Sequence, residues 1–218
     1  AVYTGESVTL EQLKCQLLRD DDTVKDSAGK LKTKVQALSC PSCGSSVGYV
    51  PGVTREIVCP SCRSHVDVST NVAQVLEVSE RMEQLKTTVE LGASADISGM
   101  KYIVIGAMVR ADDEDTHWTE YLMYNPRGGF LWLVETDDGW YRTKVQDEWP
   151  EWRGDETAKI GEQTFKKVYD YPAKVISAAG AFNWQVKAGD TVRVIEFESG
   201  NNSLAAEMTD KELAWSYS

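Results

Sequence analysis

Two identical tetrapeptides, Cys40-Pro41-Ser42-Cys43 and Cys59-Pro60-Ser61-Cys62, constrain this chain more than any other feature. A C-x-x-C turn aims two sulfurs at one point, and the fifteen residues between the pairs are enough to bring the second pair back to it. The spacing therefore predicts a tetrahedral zinc cage of four thiolates with Zn–S bonds of about 2.3 Å. Gly44 and Gly52 suit the reversals such a ribbon needs. A redox dithiol is normally a single C-x-x-C on a strand-to-helix turn, and a disulfide framework needs an oxidising compartment, so neither competes well here. Four thiolates close the coordination shell and leave no position for water or substrate. One zinc per chain is thus expected to hold structure together rather than perform chemistry. The fifth cysteine, Cys15, lies among Leu10, Leu13, Leu17 and Leu18 at helical spacing and reads as a small buried hydrophobe.

A chain of 218 residues can bury a sizeable core without disulfides, which leaves room for one real domain beside the small metal-stabilised module. No secretory signal and no spanning stretch of apolar residues is present, and reduced thiolates suit the cytoplasm. A soluble cytoplasmic protein is expected, with any membrane association peripheral and made through a partner. Many four-cysteine ribbons bind nucleic acid, but that requires a basic footprint to displace counterions from phosphates. Here the net charge is −11 and the pI is near 4.7. Within the ribbon Arg55 and Arg63 are matched by Glu56 and Asp67. Direct nucleic-acid binding is therefore excluded as the expectation, and a cationic small molecule or a basic protein partner is favoured.

Hydrophobic periodicity divides the chain into four segments. Residues 1–34 read as an N-terminal helix followed by a charged linker, and residues 35–68 as the zinc ribbon. Residues 69–87 carry Val72, Val75, Leu76, Met82 and Leu85 on one stripe and predict a connecting helix. Residues 88–218 are strand-like, with Val, Ile, Tyr, Trp and Thr runs cut by Asn125-Pro126, Asp137-Asp138-Gly139 and similar turns. Many short strands without helices to supply crossovers predict an antiparallel β-sandwich or barrel. The fold class is mainly β with a few helices, the last a short one opening at Thr209.

Candidates for chemistry are sparse. His65 and His117 read as plain surface histidines, no nucleophile and base are legible together, and Gly106, Gly128 and Gly129 open no phosphate-binding helix. An aromatic and acidic set offers more. On a strand, Trp118 and Glu120 share one face while Tyr121 lies on the other, and Trp132 and Glu207 belong to neighbouring runs. A carboxylate beside aromatic faces suits a cationic ligand such as a polyamine through charge pairing and cation–π attraction. The competing reading makes the tryptophans core residues and Glu120 a buried hydrogen-bond acceptor.

The segments Trp118-Thr119-Glu120-Tyr121-Leu122-Met123-Tyr124-Asn125-Pro126 and Gly129-Phe130-Leu131-Trp132-Leu133-Val134-Glu135 resemble a bacterial family, domain of unknown function 4178. The likeness continues through Gly180-Ala181-Phe182-Asn183-Trp184, Gly189-Asp190 and the run from Leu204 to Ser216, so that it spans about Thr88 to Ser218. The ribbon ahead of it also resembles an arrangement found in that family. The chain departs from the family at Phe197-Glu198-Ser199-Gly200-Asn201-Asn202, where an aspartate-tyrosine and proline-containing connection is usual. The resemblance implies association with polyamine-metabolism and phage-shock-type membrane-stress proteins and no established activity. The resulting expectation is a non-enzymatic binding or adaptor protein of a stress or polyamine-linked system. Its rival is an enzyme, for which the same context points to polyamine metabolism, with a site built from residues distant in sequence.

Overall fold

Runs of β-branched and aromatic residues become strands wherever a neighbouring strand can take up their backbone hydrogen bonds. The computed structural model describes residues 33–70, 73–78, 85–145, 149–154, 156–210 and 212–218, and every regular element among them is a strand. The N-terminal part holds β1 (Gln36–Ser39), β2 (Ser46–Tyr49), β3 (Glu56–Val58), β4 (Ser64–Asp67) and β5 (Gln74–Val78). A first meander follows: β6 (Ser94–Ile97), β7 (Met100–Ala111), β8 (His117–Asn125), β9 (Gly129–Thr136) and β10 (Gly139–Val145). A second consists of β11 (Thr157–Ile160), β12 (Gln163–Phe182), β13 (Thr191–Ser199), β14 (Asn202–Met208) and β15 (Leu213–Tyr217).

The pairings close on themselves. Strands β7-β8-β9-β10 and β12-β13-β14-β15 are two antiparallel runs joined at both edges, β10 to β15 and β7 to β12, giving a ring of eight strands. The all-β antiparallel architecture expected from the sequence is present, and no helix occurs among the described residues. The β10–β15 seam is short, with Lys144 opposite Tyr217 and Val145 opposite Ser216. The β7–β12 seam is longer and runs from Val175 opposite Arg110 to Gly180 opposite Gly106. That last pair brings two backbones unusually close. A Cβ on Gly180 would lie 2.3 Å from the Ile105 carbonyl oxygen, and one on Gly106 would lie 2.7 Å from that of Ala181. Gly180 also holds φ +97, outside the range that side chains accept comfortably.

Strand β12 is continuous through Pro172, where its sequence suggests a break. Along one edge β11 pairs only as far as Lys166 and β7 begins at Val175, so Pro172 falls where that edge has no partner and its missing N–H interrupts no ladder there. The far end of β12 pairs with β3, which makes the hairpin of β3 and β4 an extension of the large sheet. Correspondingly, one apolar cluster runs from the ribbon into the ring: Val47, Val58 and Val66 pack in the same core as Met108, Leu122, Tyr124 and Phe182. A second cluster of Phe165, Phe197, Leu204 and Trp215 is covered by Trp152 and Ala158. A third, with Tyr121, Met123 and Leu131, is covered by Leu85, Val89 and Leu91.

The N-terminal helix and Cys15 lie outside the described residues. Two expectations change. The helix expected over 69–87 is replaced at residues 74–78 by strand β5, which pairs with β4; β-branched Val75 and Val78 find an open edge there, and edge pairing outweighs a helical stripe of only a few residues. The final short helix is a turn between β14 and β15, closed by Thr209 N–H donating to the Glu212 carbonyl at 2.9 Å and Glu212 N–H donating to Thr209 Oγ1 at 3.0 Å. Among the described residues no helix is long and apolar enough to cross a membrane.

Candidate functional site

The two cysteine tetrapeptides fold as matching knuckles. In each, the first cysteine's carbonyl accepts from the residue after the second cysteine, Gly44 N–H to Cys40 and Arg63 N–H to Cys59, both at 2.8 Å. In each, the first cysteine's N–H donates to a serine carbonyl, that of Ser45 at 2.8 Å and that of Ser64 at 3.0 Å. Gly44 and Arg63 occupy the same left-handed position, at φ 78 and φ 61. A Cβ on Gly44 would meet nothing within 4 Å, so Gly44→Ala isolates the backbone strain. The variant is expected to cost about 1–2 kcal/mol in thermal or denaturant unfolding, the left-handed penalty of one residue.

These knuckles bring together the four sulfurs of Cys40, Cys43, Cys59 and Cys62, all within 4.8 Å of one another. Cys40 Sγ lies 3.8 Å from Cys62 Sγ, and Cys43 Sγ lies 3.7 Å from Cys59 Sγ. Sulfurs about 2.3 Å from a tetrahedral zinc stand about 3.8 Å apart, so the cluster already has the edge length of such a shell. The four cysteines could therefore hold a metal ion. The hydroxyls of Ser45 and Ser64 lie 3.4 and 3.1 Å from the Cys43 and Cys62 sulfurs. Burial pushes the Cys59 thiol up to about 12. Partial burial also works against the Cys62 thiolate, yet the Ser64 hydroxyl and amide and the Cys43 and Cys59 sulfurs bring it down to about 6. Behind the cluster, His65 is not the surface group its sequence position suggests: it is 1% exposed and its Nδ1 bonds Glu56 Oε1, while Glu56 Oε2 accepts from Val186 N–H at 3.3 Å.

A second polar group sits inside the ring. Residues opposite one another on antiparallel strands share a face. Arg110 is opposite Trp118 and Val175, and Val194 is opposite both Tyr171 and Glu207. This places Arg110, Trp118, Glu120, Tyr171, Glu196 and Glu207 on one face. It is the inner face. Arg110 on β7 reaches Glu207 on β14 at 3.2 Å although β12 and β13 intervene, a path of about 14 Å along a flat sheet. Arg110 also lies 3.4 Å from Glu120 Oε1, which accepts a 2.8 Å bond from Trp118 Nε1. Tyr171 donates to Glu196 and meets Trp118 edge-on, with ring centroids 6.0 Å apart.

Electrostatics follow the burial. Burial pushes the Glu120 carboxyl above its ordinary range, against the pull of Arg110. Burial opposes the Arg110 cation too, but Glu120 and Glu207 more than offset it and hold the guanidinium charged. Burial raises Glu196, and burial with Glu196 beside it raises the Tyr171 phenol. Arg110 Nε is buried and has no hydrogen-bond partner among the described residues.

Of the five residues singled out for a cationic ligand, the fold brings together Trp118, Glu120 and Glu207. Tyr121 faces outward, fully buried, and donates to Glu135 Oε2 at 2.6 Å while accepting from Thr88 N–H at 3.1 Å. Trp132 packs against Trp184, with centroids 5.6 Å apart, in the core shared with the ribbon. Sequence reasoning missed Arg110, Tyr171 and Glu196. A cation ending the apolar run of β7, two residues from Met108 and so on the same face, was the available signal for Arg110.

No curated protein and no solved structure matches the chain. The family model described as Domain of unknown function (DUF4178) matches residues 90–218, from just ahead of β6 through both seams of the ring to the last strand, and the chain belongs to that family.

Proposed function

We propose that this chain is a non-enzymatic binding protein of the reducing cytoplasm, in which one structural zinc per ribbon braces a β ring whose acidic, aromatic inner face receives a linear polycation of the polyamine class. The observation that carries the reading is the imbalance on that face: Glu120, Glu196 and Glu207 stand beside Trp118 and Tyr171 with Arg110 as their counter-charge. The Glu207 side chain is 35% exposed, so a ligand amine can reach it. Tyr141 and Val145 share that face through Val134 and Thr143 and are 43% and 50% exposed, which leaves one side of the ring open to solvent. The polyamine context implied by the family resemblance agrees with this chemistry, as does the net charge of −11.

Calorimetric titration of the full chain with spermidine tests it. Glu207→Gln is expected to weaken binding about tenfold, or 1.4 kcal/mol, while shifting stability by less than about 1 kcal/mol, because its carboxylate is part-exposed. Glu120→Gln leaves a buried guanidinium short of charge and is expected to lower stability by about 1–3 kcal/mol. Absence of heat with millimolar-range spermidine, together with a lowered melting temperature for Glu207→Gln, would return the whole cluster to a structural role.

A further inference from the structure

A basic cleft interrupts this acidic molecule on the outside of the ring. It lies between the β6–β7 hairpin, the β8–β9 turn and the ends of β10 and β15, and has a volume of about 470 Å³. That is within the range of small-molecule sites. Arg127, Arg142 and Lys144 line it, and among the described residues no Asp or Glu side chain does. Among the described residues none of the three makes an ion pair. Three cations that share one cleft and form no ion pair among the described residues, on a chain of net charge −11, are poorly explained as general solubility.

The cleft is also held in shape. Asn125 Oδ1 accepts from the N–H groups of Arg127 and Gly128 at 2.7 and 2.8 Å, and Asn125 Nδ2 donates to the Lys101 carbonyl at 2.7 Å. These bonds fix the turn that carries Arg127. A Cβ on Gly128 would lie 2.1 Å from the Tyr102 hydroxyl, so glycine there lets the Tyr102 ring end against the turn. Arg142 and Lys144 alternate along β10 and so project from the same side, with Lys144 opposite Tyr217. Tyr102, Leu131 and Tyr217 supply an apolar and aromatic wall between the charges.

We propose that this cleft binds a small amphipathic anion, with a phosphate or carboxylate group held by Arg127, Arg142 and Lys144 and a flat apolar body laid against Tyr102, Leu131 and Tyr217. Planar guanidinium groups pair with either anion through parallel N–H bonds, and an ammonium adds an adaptable third donor. The site is separate from the inner-face carboxylates, so it stands or falls independently of polycation binding.

The test is titration of the full chain with 1-naphthyl phosphate, 1-naphthoate and 1-naphthol, followed by calorimetry at low and physiological salt. Both anions are expected to bind at least about tenfold more tightly than the naphthol, and to weaken with salt. Whichever anion binds better identifies the headgroup. The double variant R142E/K144E should lose at least about tenfold in anion affinity while the melting temperature is retained. If that variant fails to fold, Arg142→Gln and the salt dependence decide in its place. Naphthol binding as tightly as the anions, charge-altered protein binding like the parent, or no heat with anion up to about 1 mM, a concentration at which a specific site would fill, would each overturn the proposal.

Discussion

Cys59→Ser is expected to release the metal and unfold the ribbon, the largest loss any single side chain here should produce. Structural zinc contributes roughly 10–16 kcal/mol to small zinc-folded modules, and a ribbon this small has too little apolar core to replace it. Cys59 is fully buried at the head of the hairpin that carries β3 into the large sheet. Because Val58 and Val66 pack with Phe182 and Met108, the damage should extend to the end of β12 and the adjoining part of β7. The Phe165–Phe197–Trp215 cluster lies apart from it and should be spared. Hydrogen exchange read by mass spectrometry checks this: protection should be lost in β3, β4, β5 and residues 180–182 and kept in β13 to β15. Metal analysis showing less than one zinc per parent chain, or a Cys40–Cys43 disulfide in freshly purified protein, would sink the assignment.

Gly180→Ala is expected to be nearly as damaging for a different reason. The new methyl would sit 2.3 Å from a backbone oxygen and 2.8 Å from the Cα of Gly106, and neither can swing aside as a side-chain tip can. The φ of +97 adds strain even if the strands part. A loss of about 4 kcal/mol or more is expected, at the far end of single-substitution effects. Thermal melting measures it, and a change below about 1 kcal/mol would mean that the β7–β12 seam opens easily. The equivalent change at Gly44 meets no neighbour, so the two alanine variants separate steric clash from backbone strain.

The four-cysteine cluster was legible in the sequence because its signal is local: two C-x-x-C turns need only one return of the chain. The first meander was legible for a similar reason, since the Asp137-Asp138-Gly139 and Asn125-Pro126 turns fix which strands are neighbours. Strand periodicity also placed Trp118 and Glu120 on one face and Tyr121 on the other. What it could not show was that Arg110 and Glu207 meet across the ring, because that depends on closure between strands far apart in sequence. β14 and β15 escaped notice because alanines at 205 and 206 and the Thr209 turn resemble a helix start more than a strand pair. Pro172 invited a break in β12 that the unpartnered edge makes unnecessary. At residues 74–78 the apolar stripe fitted two periods, and an open edge beside β4 decided between them.

The unequal seams of the ring have a kinetic consequence. Each meander forms from hairpins between successive strands, contacts that cost little loop entropy and form early. Closure must wait for partners on opposite meanders, and the β7–β12 seam, with its glycine pair in backbone contact, tolerates no slippage of register. The β10–β15 seam rests on two residue pairs and the 2.6 Å contact between the Thr143 and Ser218 hydroxyls, so it can zip last and open first. Refolding should therefore be limited by docking of two preformed halves, and slow opening of the native ring should begin at the chain's last strand.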